Sequence, residues 1–245
     1  HGSFTNVAVK AIAFGAPGGK FSVSNWDFVR YARIGQTPLV NGTGIPVSYE
    51  AESHPTFTTQ PWSQTSEELG CSGVSSTSSE GTLTIADTTN NDSVVFFRRE
   101  PSFSSSDNAI IEFKMKVDSM EGVLPENNLN VAVQDGSKLF SVGFSTTSVS
   151  LEGILRTIDS SPLNTTSFHN YRLVKHGSTS VELFVDNAST PILTAPYSSL
   201  DGVTVREFGF GSGSGSTKSV SEWDYVRYSI NNQPPVANAG PDQTV

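Results

Sequence analysis

Ten residues are written twice in this chain, and the repeat sets the size of the unit that folds. Ser22-Val23-Ser24-Asn25-Trp26-Asp27-Phe28-Val29-Arg30-Tyr31 returns as Ser219-Val220-Ser221-Glu222-Trp223-Asp224-Tyr225-Val226-Arg227-Tyr228, with eight of the ten positions identical. Upstream, Val7 to Gly15 aligns with Val203 to Gly211, one position out of step. From Ser22 to Ser219 the offset is 197 positions. That is a whole-domain period, too long for a solenoid repeat. Residues 1–34 therefore read as the closing strands of one module and residues 35–230 as a full second copy. A unit of that size suits a single core.

Between the copies the hydrophobic period is two. In Ala109 to Val117, Ile111, Phe113, Met115 and Val117 share one face, while Glu112, Lys114 and Lys116 take the other. That is a half-buried strand. Leu129, Val131 and Val133 alternate with Asn130, Ala132 and Gln134, and Asp135-Gly136 then signals a hairpin into Lys138 to Phe144. Thr146-Thr147 marks a turn into Val149 to Leu151, and His176-Gly177-Ser178 joins His169–Lys175 to Ser180–Asp186. Further strands are expected at Val47–Glu50, Thr82–Ala86, Val94–Arg98, Thr190–Thr194, Val203–Gly211 and Ser219–Ile230. Gly70 to Gly81, rich in Ser, Gly and Thr, reads as a long loop. No amphipathic helix is evident. The pattern predicts an all-β chain, an antiparallel two-sheet jelly-roll sandwich.

Composition narrows the function classes. The formal net charge is −9, with 24 acidic residues against 15 Lys and Arg. A nucleic-acid partner needs a basic surface to displace counterions, and none is visible. No apolar run is long enough to span a membrane. The single cysteine, Cys71, forms no disulfide within the chain, and the four histidines are scattered without zinc-ligand spacing. Low charge with abundant Ser, Thr, Gly and Asn is the look of an extracellular or cell-surface β-protein.

The character changes at Asn231. Asn231 to Val245 opens with a Pro-Pro stop and resembles the start of a polycystic-kidney-disease-type, Ig-like domain. Residues 81–230 carry a second resemblance, through Gly81–Asp87 with Val94–Arg98, Phe168–Leu173 with Val181–Asn187, Phe208–Ser214 and Trp223–Tyr228. These phrases resemble a concanavalin A-like, laminin-G-like lectin/glucanase jelly roll. The resemblance implies fold more than activity, because one fold hosts unrelated chemistry.

Each candidate site has two readings. Trp26, Asp27 and Arg30, with Trp223, Asp224 and Arg227, form a motif at the end of each copy. It reads as a structural closure with the indole in the core, against a sugar site built from aromatics and Asp. On a regular strand Trp223, Tyr225 and Arg227 would share one face and Asp224, Val226 and Tyr228 the other. Trp62, in an irregular polar stretch, either stacks on a sugar or plugs one end of the sandwich. Tyr49 and Phe57 are weaker versions of the same choice.

The family resemblance implies calcium as a cofactor, held by hard oxygens. The candidates are Asp87, Asn91 and Asp92, or Asp186 and Asn187. The alternative is that these side chains bond their own backbone in turns. Sequons at Asn41, Asn91, Asn164 and Asn187 are candidate glycosylation sites.

Laminarinase-like members of this fold carry Glu-x-Asp-x-x-Glu or Glu-x-Asp-x-Glu on a strand. Here Glu222-Trp223-Asp224 is followed by Val226 and Arg227 where the second Glu would stand, and Asn25 replaces Glu222 in the other copy. That departure argues against hydrolysis at this strand. The sequence points to a non-catalytic extracellular module binding a glycan or surface polymer. The alternative is a structural repeat of a stalk, surface layer or filament, self-associating through residues 1–34 by strand exchange. A glycoside hydrolase or lyase ranks last.

Overall fold

A computed structural model describes residues 47–51, 55–57, 62–65, 74–79, 81–88, 95–101, 103–121, 129–153, 156–212 and 218–231. The chain divides into two compact units, His1–Pro38 and Leu39–Val245. The first unit, with Trp26, Asp27 and Arg30, lies outside the described residues, as do Asn41 and residues 232–245.

Sixteen strands run in chain order among the described residues. They are β1 (Val47–Glu50), β2 (Ser63–Thr65), β3 (Val74–Ser79), β4 (Thr82–Asp87), β5 (Val95–Arg99), β6 (Asn108–Met120), β7 (Leu129–Asp135) and β8 (Lys138–Phe144). Then come β9 (Ser148–Gly153), β10 (Arg156–Pro162), β11 (His169–His176), β12 (Ser180–Val185), β13 (Leu193–Pro196), β14 (Asp201–Gly202), β15 (Arg206–Ser212) and β16 (Ser219–Asn231). The first sheet has the order β13-β12-β11-β6-β16-β4-β3, with β1 beside the second half of β16. The second has the order β10-β9-β8-β7-β15-β5-β2, with β14 beside β8. The two antiparallel sheets form an all-β, jelly-roll-type sandwich. Among the described residues no helix is long and apolar enough to cross a membrane.

Period-two patterning drives this. Along β6, Ala109, Ile111, Phe113, Met115 and Val117 are buried and the residues between them are not. Left-handed residues make the turns. Gly136, at φ 83°, sits between β7 and β8, where the Asp135 carboxylate accepts hydrogen bonds from the Ser137 and Lys138 amides at 3.0 and 2.8 Å. Asp186 and Asn187, at φ 51° and 61°, turn the chain after β12.

Several stretches depart from the sequence expectation, which placed no strand at β2, β10 or β14 and began β15 at Val203 rather than Arg206. Gly70–Gly81 is not wholly loop, because Val74–Ser79 forms edge strand β3 along β4. The strand expected at Thr190–Thr194 lies at Leu193–Pro196.

The core is aromatic. Trp62 meets Phe208, Phe210 and Tyr228 at ring-centroid distances of 5.5, 5.2 and 6.3 Å. Phe210 meets Trp223 at 5.0 Å, and Phe113 stacks on Tyr171 at 5.0 Å. Truncating side chains of this size in a packed core costs about 3–5 kcal/mol.

One polar cluster joins the sheets. Lys175 on β11 and Asp135 on β7 are both buried, with Lys175 Nζ 3.4 Å from Asp135 Oδ2. The Tyr197 hydroxyl donates to the same oxygen at 2.6 Å. Lys175 Nζ also donates to the Ser105 and Asp107 carbonyls at 2.7 and 2.8 Å, and to the Ser104 carbonyl at 3.4 Å.

Candidate functional site

The tryptophan motif closes the core. Trp223 is fully buried, and its Nε1 donates to Ser221 Oγ at 2.9 Å. The facing expected for a regular strand is corrected by a β-bulge, since Trp223 lies opposite Met115 and Tyr225 opposite Lys114. Asp224 is the extra residue. Trp223, Val226 and Tyr228 therefore point inward, while Asp224, Tyr225 and Arg227 point outward. Asp224 pairs with Lys114 at 2.6 Å, and the Arg227 guanidinium lies 4.1 Å from the Tyr225 ring centroid.

Trp62 is also interior, at 1% exposure, with no face open to a sugar ring. The stacking role considered for it is replaced by packing against Phe208, Phe210 and Tyr228. Tyr49 is in β1, where its backbone pairs with Val226; the side chains of Tyr49 and Phe57 lie outside the description.

The acidic candidates do not converge among the described residues. Asp87 ends β4, buried; Asn91 and Asp92 lie outside the described residues. The Asp186 carboxylate contacts His169 Nδ1 at 2.6 Å and accepts from the Asn170 amide at 3.1 Å. No group of three His, Cys, Asp or Glu among the described residues is placed to hold a metal ion. Asn164 is exposed, its Oδ1 accepting from the Thr166 amide and hydroxyl at 3.3 and 2.7 Å. Asn187 is exposed in its turn.

A face that sequence reasoning did not single out has more chemistry. The inner face of the second sheet carries Phe97, Phe208, Phe210, Val131, Val142 and Leu151, so the alternate residues point outward. Cross-strand register sets two rows there. One runs Ser63, Arg98, Gly209, Ala132, Ser141, Glu152. The next runs Phe96, Gly211, Asn130, Gly143, Ser150.

The middle of this floor is small. A Cβ at Gly209 would collide with the Phe96 ring, and one at Gly143 with the Glu152 carboxyl. Gly211, at φ 139°, adopts a backbone that other residues avoid.

The face grades from open to closed. Ser63 is exposed, and Arg98 is partly so, 3.5 Å from Glu207. At the other end Ser141, Ser150 and Glu152 are buried. Ser150 Oγ donates to Glu152 Oε1 at 2.6 Å, and Glu152 Oε2 is buried with no hydrogen-bond partner. Burial pushes the Glu152 carboxyl above the ordinary range, and the Ser150 hydrogen bond opposes that shift.

Two further acids share the face. Glu207 is three strands from Glu152 and two residues out of its row, about 16 Å at Cα by strand spacing. Asp201 is nearer. It pairs with Leu139, two residues along β8 from the Ser141 that faces Glu152. That spacing puts the two Cα atoms about 7 Å apart. The signal in the sequence was Glu152 itself, out of phase with Val149 and Leu151 on a strand otherwise poor in charge.

No protein-family model matches the chain, and no curated protein is significantly similar in sequence. Solved structures do match. A carbohydrate esterase of the Shiga toxin-encoding bacteriophage phi24B aligns over 76% of this chain and 98% of its own, with TM-score 0.51 and 13% identity. The metal-free lectin I-B4 of Griffonia simplicifolia aligns over 76% and 100%, with TM-score 0.50 and 13% identity. A Bacillus licheniformis β-glucanase aligns over 76% and 99%, with TM-score 0.47 and 17% identity. At these identities the likeness is one of architecture, and the fold is the concanavalin A-like lectin/glucanase jelly roll.

Proposed function

We propose that this chain is a non-catalytic, extracellular module that binds a glycan or surface polymer within a larger multidomain protein. The observation that carries the reading is the outer face of the second sheet. Its glycines are covered from within, Gly209 by the Phe96 ring and Gly143 by the Glu152 carboxyl, so a ligand is met by the polar side chains at the open end. Its hydroxyl, amide, guanidinium and carboxyl groups complement sugar hydroxyls as donors and acceptors. The ligand enters at the open end, over Ser63, Arg98 and Gln134.

The test is binding of the purified chain to a broad glycan and polysaccharide panel, with calcium and with chelator. Saturable binding to one sugar class is expected. Arg98→Ala should weaken it about tenfold, the loss of one charge-assisted hydrogen bond. Chelator sensitivity would place calcium at or beside the site. Failure to bind across the panel would shift the weight to a structural repeat, for which the doubled Trp-Asp motif is the motive.

One observation favours a second reading, glycoside hydrolysis. Glu152 and Asp201 lie on one face with Cα atoms about 7 Å apart, near neighbours as an acid–base or acid–nucleophile pair requires. The binding reading ranks first because Glu152 is buried and so presents no proton to solvent or substrate. Release of reducing ends from the bound polysaccharide, abolished by Glu152→Gln, would reverse the ranking.

A further inference from the structure

We propose that Lys175 and Asp135 condense into an isopeptide bond that staples the two sheets together. The two side chains meet where the sheets face each other. Lys175 is on β11 of the first and Asp135 on β7 of the second, neither reachable by solvent, with Nζ 3.4 Å from Oδ2. A charged pair in such a place is costly to maintain, and burial pulls the Lys175 amine below its ordinary value while the Asp135 charge opposes this. Transfer of one proton from the ammonium to Oδ2 gives a neutral amine beside a neutral acid. The two remaining N–H bonds then point at the Ser105 and Asp107 carbonyls, 2.7 and 2.8 Å away, leaving the lone pair for the carboxyl.

The carboxyl is held as an acylating group requires. Oδ1 already accepts from two backbone amides, Ser137 at 3.0 Å and Lys138 at 2.8 Å, which stabilise negative charge as it develops there. Oδ2, the departing oxygen, accepts from the Tyr197 hydroxyl at 2.6 Å. Nζ attacks Cγ, and the new N–C bond places the electron pair on Oδ1. The surplus proton on nitrogen passes to Oδ2 through the Tyr197 hydroxyl, which gives one proton and takes one. The Cγ–Oδ2 bond breaks and water leaves. An ammonium and a carboxylate thus become one amide and one water, with no change of oxidation state and no co-reactant. Nζ is held 3.4 Å from Oδ2, an oxygen of the carboxyl it attacks, so little movement separates the contact from bond formation. With Cys71 its single cysteine, the chain has no disulfide of its own to serve as such a staple.

The deciding measurement is the intact mass of the purified full chain after incubation at neutral pH, followed by proteolytic mapping. A mass one water below the sequence value is expected, with a branched peptide containing residues 135 and 175. Asp135-Gly136 could instead lose water as a succinimide, so Lys175→Arg is the control. The variant should regain the full mass, whereas persistence of the deficit there would assign it to the succinimide and overturn the proposal. Tyr197→Phe should slow cross-linking; an unchanged rate would remove Tyr197 from the mechanism. Wild-type chain at its full sequence mass, with only linear peptides over 135 and 175, overturns the proposal outright.

Discussion

A carboxyl that is buried with one oxygen unpartnered makes the fold sensitive to pH in a calculable direction. Glu152 holds its proton in the folded chain at pH values where the unfolded chain has lost it. Between the ordinary carboxylate range and the raised folded value, the folded state binds more protons, so stability falls as pH rises through that window. Below the window both states are protonated and the contribution is complete. Glu112 acts in the same direction, because burial raises it more than Arg227 and Arg172 lower it. Glu152→Gln stays neutral at every pH and removes one of the two contributions. The variant should therefore gain stability relative to wild type on going from pH 4 to pH 7, by about 1.4 kcal/mol per unit of displacement. Urea unfolding of both proteins at the two pH values measures this, and a pH-independent difference would refute the assignment. The buried acid was written in the sequence but its burial was not. Glu152 falls on the outward phase of its strand, where burial depends on what packs over the sheet. Lys175 was more legible, since it keeps phase with Tyr171 and Leu173, both core residues, and Asp135 keeps phase with Val131 and Val133.

At the scale of elements, strands follow from alternation wherever alternation is unbroken. The face of β6 and the β7–β8 hairpin were legible for that reason. Strand β3 was not, because five of its six residues are Ser or Thr and it becomes a strand by pairing with β4. The bulge in β16 is a different failure. Period-two reasoning assumes one residue per step, and an extra residue inverts every facing beyond it. This asymmetry gives a test. Deleting Asp224 leaves Trp223, Val226 and Tyr228 in inward phase and removes one partly exposed ion pair, worth about 0–1 kcal/mol. Deleting Arg227 turns Tyr228 outward and brings Ser229 into its place. The first variant should keep a cooperative thermal transition close to wild type, and the second should lose it or fall by several degrees more. Equal damage from the two deletions would show that the bulge does not set the register.

At the scale of the whole molecule, the strand nearest the end of the described chain lies in the middle of its sheet. β16 separates β6 from β4 and also carries β1. Without it the first sheet falls into three pieces, β13-β12-β11-β6, β4-β3 and β1 alone, each with a bare edge. The core would lose Trp223, Val226 and Tyr228, and with Trp223 the ring contacts to Phe113 and Phe210. Folding of the module therefore waits for a strand that pairs with residues more than 100 positions earlier, a topology that folds slowly. Two truncations follow from this and from the compact unit that begins at Leu39. A chain of residues 39–232, which keeps every described strand, should unfold in one cooperative transition. A chain of residues 39–218, only 14 residues shorter, should show no cooperative transition. Guanidinium unfolding followed by tryptophan fluorescence and circular dichroism reads both, the latter serving the shorter chain, which retains Trp62 alone. Should 39–218 still unfold cooperatively, β16 is an accessory to a core that closes without it, and the doubled Trp-Asp motif needs another explanation than fold closure.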